Sequence, residues 1–186
     1  EAKAQRLKHL TEDVVEASKI SSGNITMEYM NINFVEMINQ TTGEFAEKFE
    51  KRNLQIVLNV PEKPVMVRTD GRRMWRVIEN IYNNAAKYAL EGTRVYADLI
   101  EKEHTVEFSL KNISEQPLNI SADELTERFI RGDVSRSTEG SGLGLSIAKN
   151  LTELQGGKFE LYLDGDLFKV TIVFPKAVVG QSVTKS

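Results

Sequence analysis

The sequence predicts an α/β fold of two layers: one mixed, mostly antiparallel sheet with helices covering one of its faces. Three observations lead there. The chain closes with a hairpin pattern, KFELYL and LFKVTIVF, whose apolar residues alternate on either side of Asp164–Gly165–Asp166. Three long segments between Phe34 and Leu154 carry apolar residues three and four apart, the rhythm of a helix with one buried face. Strands and helices do not alternate regularly, which disfavours a doubly wound nucleotide fold.

Taken in order, residues 2–20 hold neither proline nor glycine, and Leu7, Leu10, Val14, Ala17 and Ser21 form one weak stripe on a helix. SSGN at 21–24 stops it. A lone amphipathic helix cannot bury its stripe unaided, so a packing partner is expected, either a second chain or a further helix. Folding back onto the rest of the chain is the alternative. ITMEYMNI, from Ile25, reads as a strand leading into a helix over Phe34–Lys51. Leu54–Val60 and Val65–Arg68 read as strands separated by the Pro61/Pro64 turn. Asp70 is placed to cap a helix over Arg72–Tyr88. Strands follow at Arg94–Ile100 and Thr105–Asn112, then a polar segment from Ile113 to Asn119. Ser121 with Glu124 forms a capping box for a short helix to Phe129. IRGDVSRSTEGS, at 130–141, reads as a mobile loop, and a helix from Leu143 to Leu154 ends at Gly156–Gly157. A frayed tail is expected after Pro175.

Composition narrows the function classes. The formal net charge of −3, with Lys and Arg scattered along the chain, gives no nucleic-acid footprint. With no cysteine there is no disulfide framework and no thiolate chemistry. No apolar run is long enough to span a membrane, and EAKAQRLKHL lacks the features of a signal peptide. It also lacks an initiator Met, so the chain is expected to be a piece of a longer protein.

Two segments carry chemistry. In ENIYNNAAKY, the core face of the helix is expected to hold Met74, Ile78, Ile81, Ala85 and Tyr88, while Asn80, Asn84 and Lys87 follow the same rhythm on a second, polar face. An amide carbonyl is a neutral, hard oxygen able to ligate Mg²⁺, and a lysine one turn away can meet a phosphate. A solvent-facing polar stripe would account for the same pattern. The second segment, GSGLGLSIA, places Gly140, Gly142 and Gly144 directly before an apolar helix. Glycines there permit close backbone approach, and a helix N-terminus offers unpaired N–H groups to phosphate oxygens. The polar loop before it, with Arg128, Arg131 and Arg136 in its neighbourhood, reads as a phosphate-covering lid. No GK[ST] of a P-loop is present.

Together these motifs resemble the ATP-binding catalytic domain of sensor histidine kinases, in the superfamily shared with type II topoisomerases, a heat-shock chaperone family and mismatch-repair ATPases. The resemblance covers roughly residues 33–175, and residues 5–24 are similar to the second helix of the preceding dimerisation and phosphotransfer domain. The family's asparagine box, N-x-x-x-N-A-x-K-Y, is matched by Asn80, Asn84, Ala85, Lys87 and Tyr88. Its second glycine box is matched by Gly140, Gly142 and Gly144, and its phenylalanine motif by Glu127–Arg128–Phe129, followed by Arg131. The resemblance implies a Bergerat-type fold that binds ATP and Mg²⁺. It assigns the metal to Asn84, phosphate to Lys87, the neighbourhood of the adenine to Tyr88, and catalytic placement to Asn80, Asn84 and Lys87. Asn112, Arg128, Arg131, Gly140, Gly142, Leu143, Gly144 and Leu145 complete the implied nucleotide site. It further implies three units: part of a dimerisation helix at 1–24, the catalytic domain at 25–175, and a disordered tail at 176–186. Expected partners are a histidine-bearing dimerisation domain, a response regulator and a second copy of the chain. The expected setting is a cytoplasmic domain of a membrane-anchored sensor.

Departures from the family pattern are equally specific. Hydrolysing members carry a water-activating glutamate four residues before the metal asparagine, where this chain has Asn80. Glu79 is one residue, about 100° of helix rotation, away. The reading is therefore phosphotransfer, with the nucleophile supplied from elsewhere. The Asp-x-Gly-x-Gly box is replaced by Asn112–Ile113–Ser114–Glu115–Gln116, so a neutral amide stands where the family has the aspartate that accepts from adenine. The only histidines, His9 and His104, do not match the phosphoacceptor motif.

Overall fold

The computed structural model describes residues 2–118, 121, 123–125 and 144–178. Helix α1 spans Ala2–Ser22, and β1 (Tyr29–Asn33) leads into α2 (Phe34–Lys51). Strands β2 (Gln55–Asn59) and β3 (Met66–Asp70) precede α3 (Gly71–Tyr88). Strands β4 (Arg94–Glu101) and β5 (Thr105–Ile113), helix α4 (Gly144–Leu154), and the hairpin β6 (Lys158–Asp164) and β7 (Leu167–Pro175) complete the described elements.

Five strands form one sheet in the order β2-β4-β5-β7-β6, with β2 parallel to β4 and every other pairing antiparallel. Alternation decides its two faces. Val95, Ala97 and Leu99 of β4, Val106, Phe108 and Leu110 of β5, and Phe168, Val170, Ile172 and Phe174 of β7 are all buried. Helices α2, α3 and α4 supply the other half of one continuous core. Phe34 of α2 meets Phe108 edge-on, and Tyr82 of α3 stacks parallel to Phe108 at 6.3 Å. Phe45 and Phe49 close around the same tyrosine ring. The opposite face carries Tyr96, Lys111, Lys169 and Tyr162 in one register across four strands. The two-layer expectation is met.

The expectation of a single sheet is not. Strands β1 and β3 pair with each other as a separate two-stranded ribbon, Tyr29 opposite Asp70. The connection holding Pro61 and Pro64 lacks two amide donors, and β2 runs instead parallel to β4. The first strand also begins at Tyr29 rather than Ile25.

Asp70 does more than end β3. Its side chain accepts from the Arg73 amide at 3.1 Å, capping α3 as expected, and from the Glu28 amide at 2.9 Å. Its own amide donates to Gln155 Oε1 at 2.9 Å, while Gln155 Nε2 donates to the Leu151 carbonyl of α4. One residue, through its carboxylate and its own amide, thus joins the ribbon, the start of α3 and the end of α4. Gly157 follows, where a β-carbon would fall 2.7 Å from the Phe174 ring, so only glycine fits without displacing it.

Helix α1 lies against α3 and α4. Glu16 pairs with Arg73 at 2.9 Å, Glu12 faces Arg76 at 3.9 Å, and Ile20 packs on the core. Leu7 and Val14 nevertheless remain 64% and 53% exposed, so folding back buries only part of the stripe. At the other end, the chain beyond Pro175 is held further than expected. The Lys176 amide donates to the His104 carbonyl and the Ala177 amide to the Met66 carbonyl. Residues 179–186 of the expected tail lie outside the described residues.

Candidate nucleotide site

Helix α3 brings its motif residues together by its own geometry. Asn80 and Asn84 are one turn apart, and Lys87 and Tyr88 lie at the helix's last turn. The two asparagines are not on a solvent face. They are 8% and 9% exposed, with Met74, Val77, Ile78, Ile81 and Ala85 of the same helix buried beside them. Tyr88, expected on the core face, is half-buried, and Lys87 is exposed.

What covers Asn80 is the second motif. A β-carbon built on Gly144 would lie 3.9 Å from both the amide carbon and the amide oxygen of Asn80. The first residue of α4 therefore rests on the middle of α3, joining two motifs more than sixty positions apart in the chain. Leu145, next in line, is buried in the core and anchors that helix start. Asn80 Nδ2 is buried and has no hydrogen-bond partner. A buried donor without an acceptor costs roughly 1–3 kcal/mol. It is retained beside a helix N-terminus.

The third wall is the end of β5. Asn112 is 3% exposed on the helix-facing side of the sheet. The amides of Leu90 and Glu115 donate to the carbonyls of Ile113 and Tyr88, at 2.7 and 2.8 Å, and Ala89 bridges Ser114. The segment standing in place of the expected glycine box is thereby fastened to the C-terminal end of α3. Ser114, which stands where the resembled family has a glycine, is buried, and its Oγ accepts from the Gln116 amide. Arg128, Arg131, Gly140, Gly142 and Leu143, with the expected lid, lie outside the described residues.

The donor set fits a magnesium-bound triphosphate. Asn84 offers a neutral amide oxygen to a hard cation, Asn80 has an unsatisfied N–H, and the first N–H groups of α4 lie alongside. No group of three or more His, Cys, Asp or Glu among the described residues could hold a metal by itself. Glu79, beside Asn80 in sequence, is half-buried, and His104 is an exposed turn residue next to Glu103.

Comparison with known proteins decides the family. Residues 69–178 match the family model described as histidine kinase-, DNA gyrase B- and HSP90-like ATPase. The chain belongs to this family. It is 31% identical over 173 residues to the sensor protein KdpD of Clostridium acetobutylicum, a match covering 88% of this chain and 18% of that one. Against the sensor protein VanSC of Enterococcus gallinarum the identity is 29%, covering 94% of this chain and 48% of the relative. The chain thus spans less than half the length of these two relatives. Among solved structures, the nucleotide-free catalytic domain of histidine kinase ThkA superposes with a TM-score of 0.70 at 26% identity, covering 81% of this chain and 97% of that one. The chain is a catalytic domain homologous to those of histidine kinases, as the motifs implied. No helix among the described residues is long and apolar enough to cross a membrane.

One side chain that reaches the end of α3 was not anticipated from the sequence. Arg52, just past α2, donates from Nη1 to the carbonyls of Ala86 and Lys87 at 2.7 and 2.9 Å. The only signal was Asn53 behind it, whose φ of +51° marks the helix stop. That pattern announces a helix end, not the target of the side chain before it.

Proposed function

We propose that this domain binds Mg²⁺-ATP between α3, the N-terminus of α4 and the end of β5, and presents the γ-phosphoryl group to a histidine carried by a separate helical domain. The observation that carries the proposal is the buried, unpaired amide of Asn80 against Gly144, with Asn84 one turn away. In this reading the Asn84 carbonyl holds the metal, and Asn80 Nδ2 and the α4 amides donate to phosphate oxygens. Lys87 supplies a point charge, Tyr88 and Asn112 border the base, and Arg128, Arg131, Gly140, Gly142 and Leu143 cover the phosphates. The metal ion would neutralise charge on the phosphates. The protein contributes placement, through amides held in a largely buried position. The general-base position of the hydrolysing branch is Asn80, which cannot take a proton from water, so a nucleophile must be supplied.

Residues 1–24 are proposed as part of the second helix of that histidine-bearing domain, 25–175 as the catalytic unit and 176–186 as a tail. The exposed Leu7 and Val14 support this, since a helix of a two-chain bundle would present such a stripe to its neighbours. An acceptor histidine, a response regulator as the next carrier, and a membrane-anchored parent with this domain in the cytoplasm are proposed on the likeness to sensor proteins. One of the solved relatives is histidine kinase ThkA in complex with the response regulator TrrA. A second reading, a binding module without nucleotide, draws on the buried side chain of Ser114 in the altered glycine box. Calorimetric titration with a non-hydrolysable ATP analogue and Mg²⁺ separates them. Saturable, Mg²⁺-dependent binding supports the first, and no heat at millimolar analogue supports the second.

A further inference from the structure

The C-terminal end of α3 has no glycine to close it. Its last residue is followed by Ala89 at φ −67° and ψ 141°, an extended conformation that cannot fold the chain back over the final carbonyls. Helix ends leave carbonyls without partners, and the partial negative charge there attracts a cation. Arg52 answers both needs from outside the helix. Its Nη1 donates to the Ala86 and Lys87 carbonyls, and its Nη2 lies 3.4 Å from Glu115 Oε2. Glu115 in turn donates its amide to the Tyr88 carbonyl. The Arg52 side chain is about three-quarters buried, and the residue after it, Asn53, turns left-handed at φ +51°.

We propose that Arg52 is a positioning residue of the nucleotide site: it fixes the end of α3, which presents Lys87 and Tyr88, against the Asn112–Gln116 segment. The inference rests on the nucleotide-binding reading above. It extends it to a residue that acts through the backbone of one wall and the Glu115 carboxylate of the other. It also explains how this chain manages without the glycines of the box. Where the family has a segment of glycines, this one has Ser114, Glu115 and Gln116, and Glu115 is used as a tether. A guanidinium can span two carbonyls and a carboxylate because its donors are arranged as a planar fork. A lysine ammonium at the same place reaches the carbonyls without reaching Glu115 as well.

The test has two measurements on the whole chain. Amide hydrogen exchange on Arg52→Ala should speed up at Leu90 and Glu115, the donors that join the two walls, while the Asp70-capped start of α3 keeps its protection. Titration with the Mg²⁺-bound ATP analogue should then show at least about a tenfold loss of affinity in Arg52→Ala and partial recovery in Arg52→Lys. Lys48→Ala is the control for a merely structural role. Lys48 also ties α2 to α3, through Asn83 Oδ1 at 3.1 Å, but away from the helix end, so its removal should leave affinity unchanged. Unchanged exchange at Leu90 and Glu115 overturns the positioning role whether or not nucleotide binds. So does equal loss of affinity in the Lys48 and Arg52 variants. A wild-type chain that binds no analogue, with exchange altered as described, sinks the nucleotide reading while leaving the Arg52 tether standing.

Discussion

Gly144 sits on Asn80, its α-carbon so near that an added β-carbon would be 3.9 Å from the asparagine's amide carbon and oxygen. That contact turns two short motifs into one site, because it sets the start of α4 beside an amide donor with no acceptor of its own. Stability and function should therefore separate at this position. Asn80→Ala removes a desolvated, unpaired N–H whose burial costs on the order of 1–3 kcal/mol, which offsets the packing lost with the side chain. Differential scanning calorimetry should show a Tm equal to or above that of the wild type, while affinity for the ATP analogue falls. A clear drop in Tm would mean the amide has a structural partner and the site reading is wrong.

Asn84 tests the metal instead. Alanine there deletes the one neutral oxygen assigned to Mg²⁺. Analogue affinity measured with Mg²⁺ and with EDTA should differ strongly in the wild type and by less than about threefold in Asn84→Ala, with at least about a tenfold loss in the presence of the metal. A variant keeping the full Mg²⁺ dependence would place the cation elsewhere.

Much of this was readable in advance, and the exceptions share a cause. The asparagine spacing, the Asp70 cap and the closing hairpin are local patterns, and local patterns survive folding. The burial of Asn80 and Asn84 is not local. Helical periodicity assigns two polar residues to solvent, yet both are buried, and Asn80 is met by the start of α4, encoded some sixty residues later. The β1–β3 ribbon was hidden for a related reason, since alternation identifies a strand but not the neighbour it pairs with. Arg52 belongs with these: a basic residue after a helix looks like ordinary surface until its carbonyl targets are in view.

The contact between α1 and the rest of the domain rests on a largely buried ion pair. Glu16 and Arg73 side chains are each 13% exposed, and Arg73 Nε already lacks a partner. Removing the carboxylate leaves the guanidinium still less satisfied, and breaking a buried pair is costlier than never forming one. Glu16→Ala should open α1 by roughly 1–3 kcal/mol, read as lost hydrogen-exchange protection along α1 with α3 unaffected. Unchanged protection would show that Ile20 and the Glu12–Arg76 pair hold the helix without Glu16.

Alkaline pH should loosen the core through Tyr82. Burial pushes its phenol up from 10.0 to about 12, against a smaller opposing effect of the hydrogen bond with Thr42. The native pKa lies above the unfolded one, so the unfolded chain releases its proton first. The contribution to stability is whole below pH 10 and is lost as pH rises through about 12. Its steepest slope is about 1.4 kcal/mol per pH unit. Tyr82→Phe should flatten that part of the urea-unfolding profile between pH 9.5 and 11.5, at a cost of about 1 kcal/mol near neutrality. An identical slope in the variant would assign the alkaline loss to other groups.

In the proposed reading Asn80, Asn84, Lys87 and the amides of α4 place a triphosphate, but none of them is a nucleophile or a base ready to make one. Asn80 occupies the position at which a hydrolysing relative would activate water, and an amide cannot accept that proton. His104 stands exposed in the turn between β4 and β5, at a point joined by hydrogen bonds to the C-terminal strand rather than to α3. In-line transfer therefore waits for an imidazole brought in from outside, and a bound triphosphate should otherwise stay intact. The chain incubated with γ-labelled ATP and Mg²⁺ should gain no label and release phosphate only slowly. Adding a separately prepared helical hairpin that carries the acceptor histidine should put label on the hairpin, and Asn84→Ala should abolish that transfer. Label on His9 or His104 would show that the chain carries its own acceptor, and brisk phosphate release without the hairpin would show that the domain works as an ATPase.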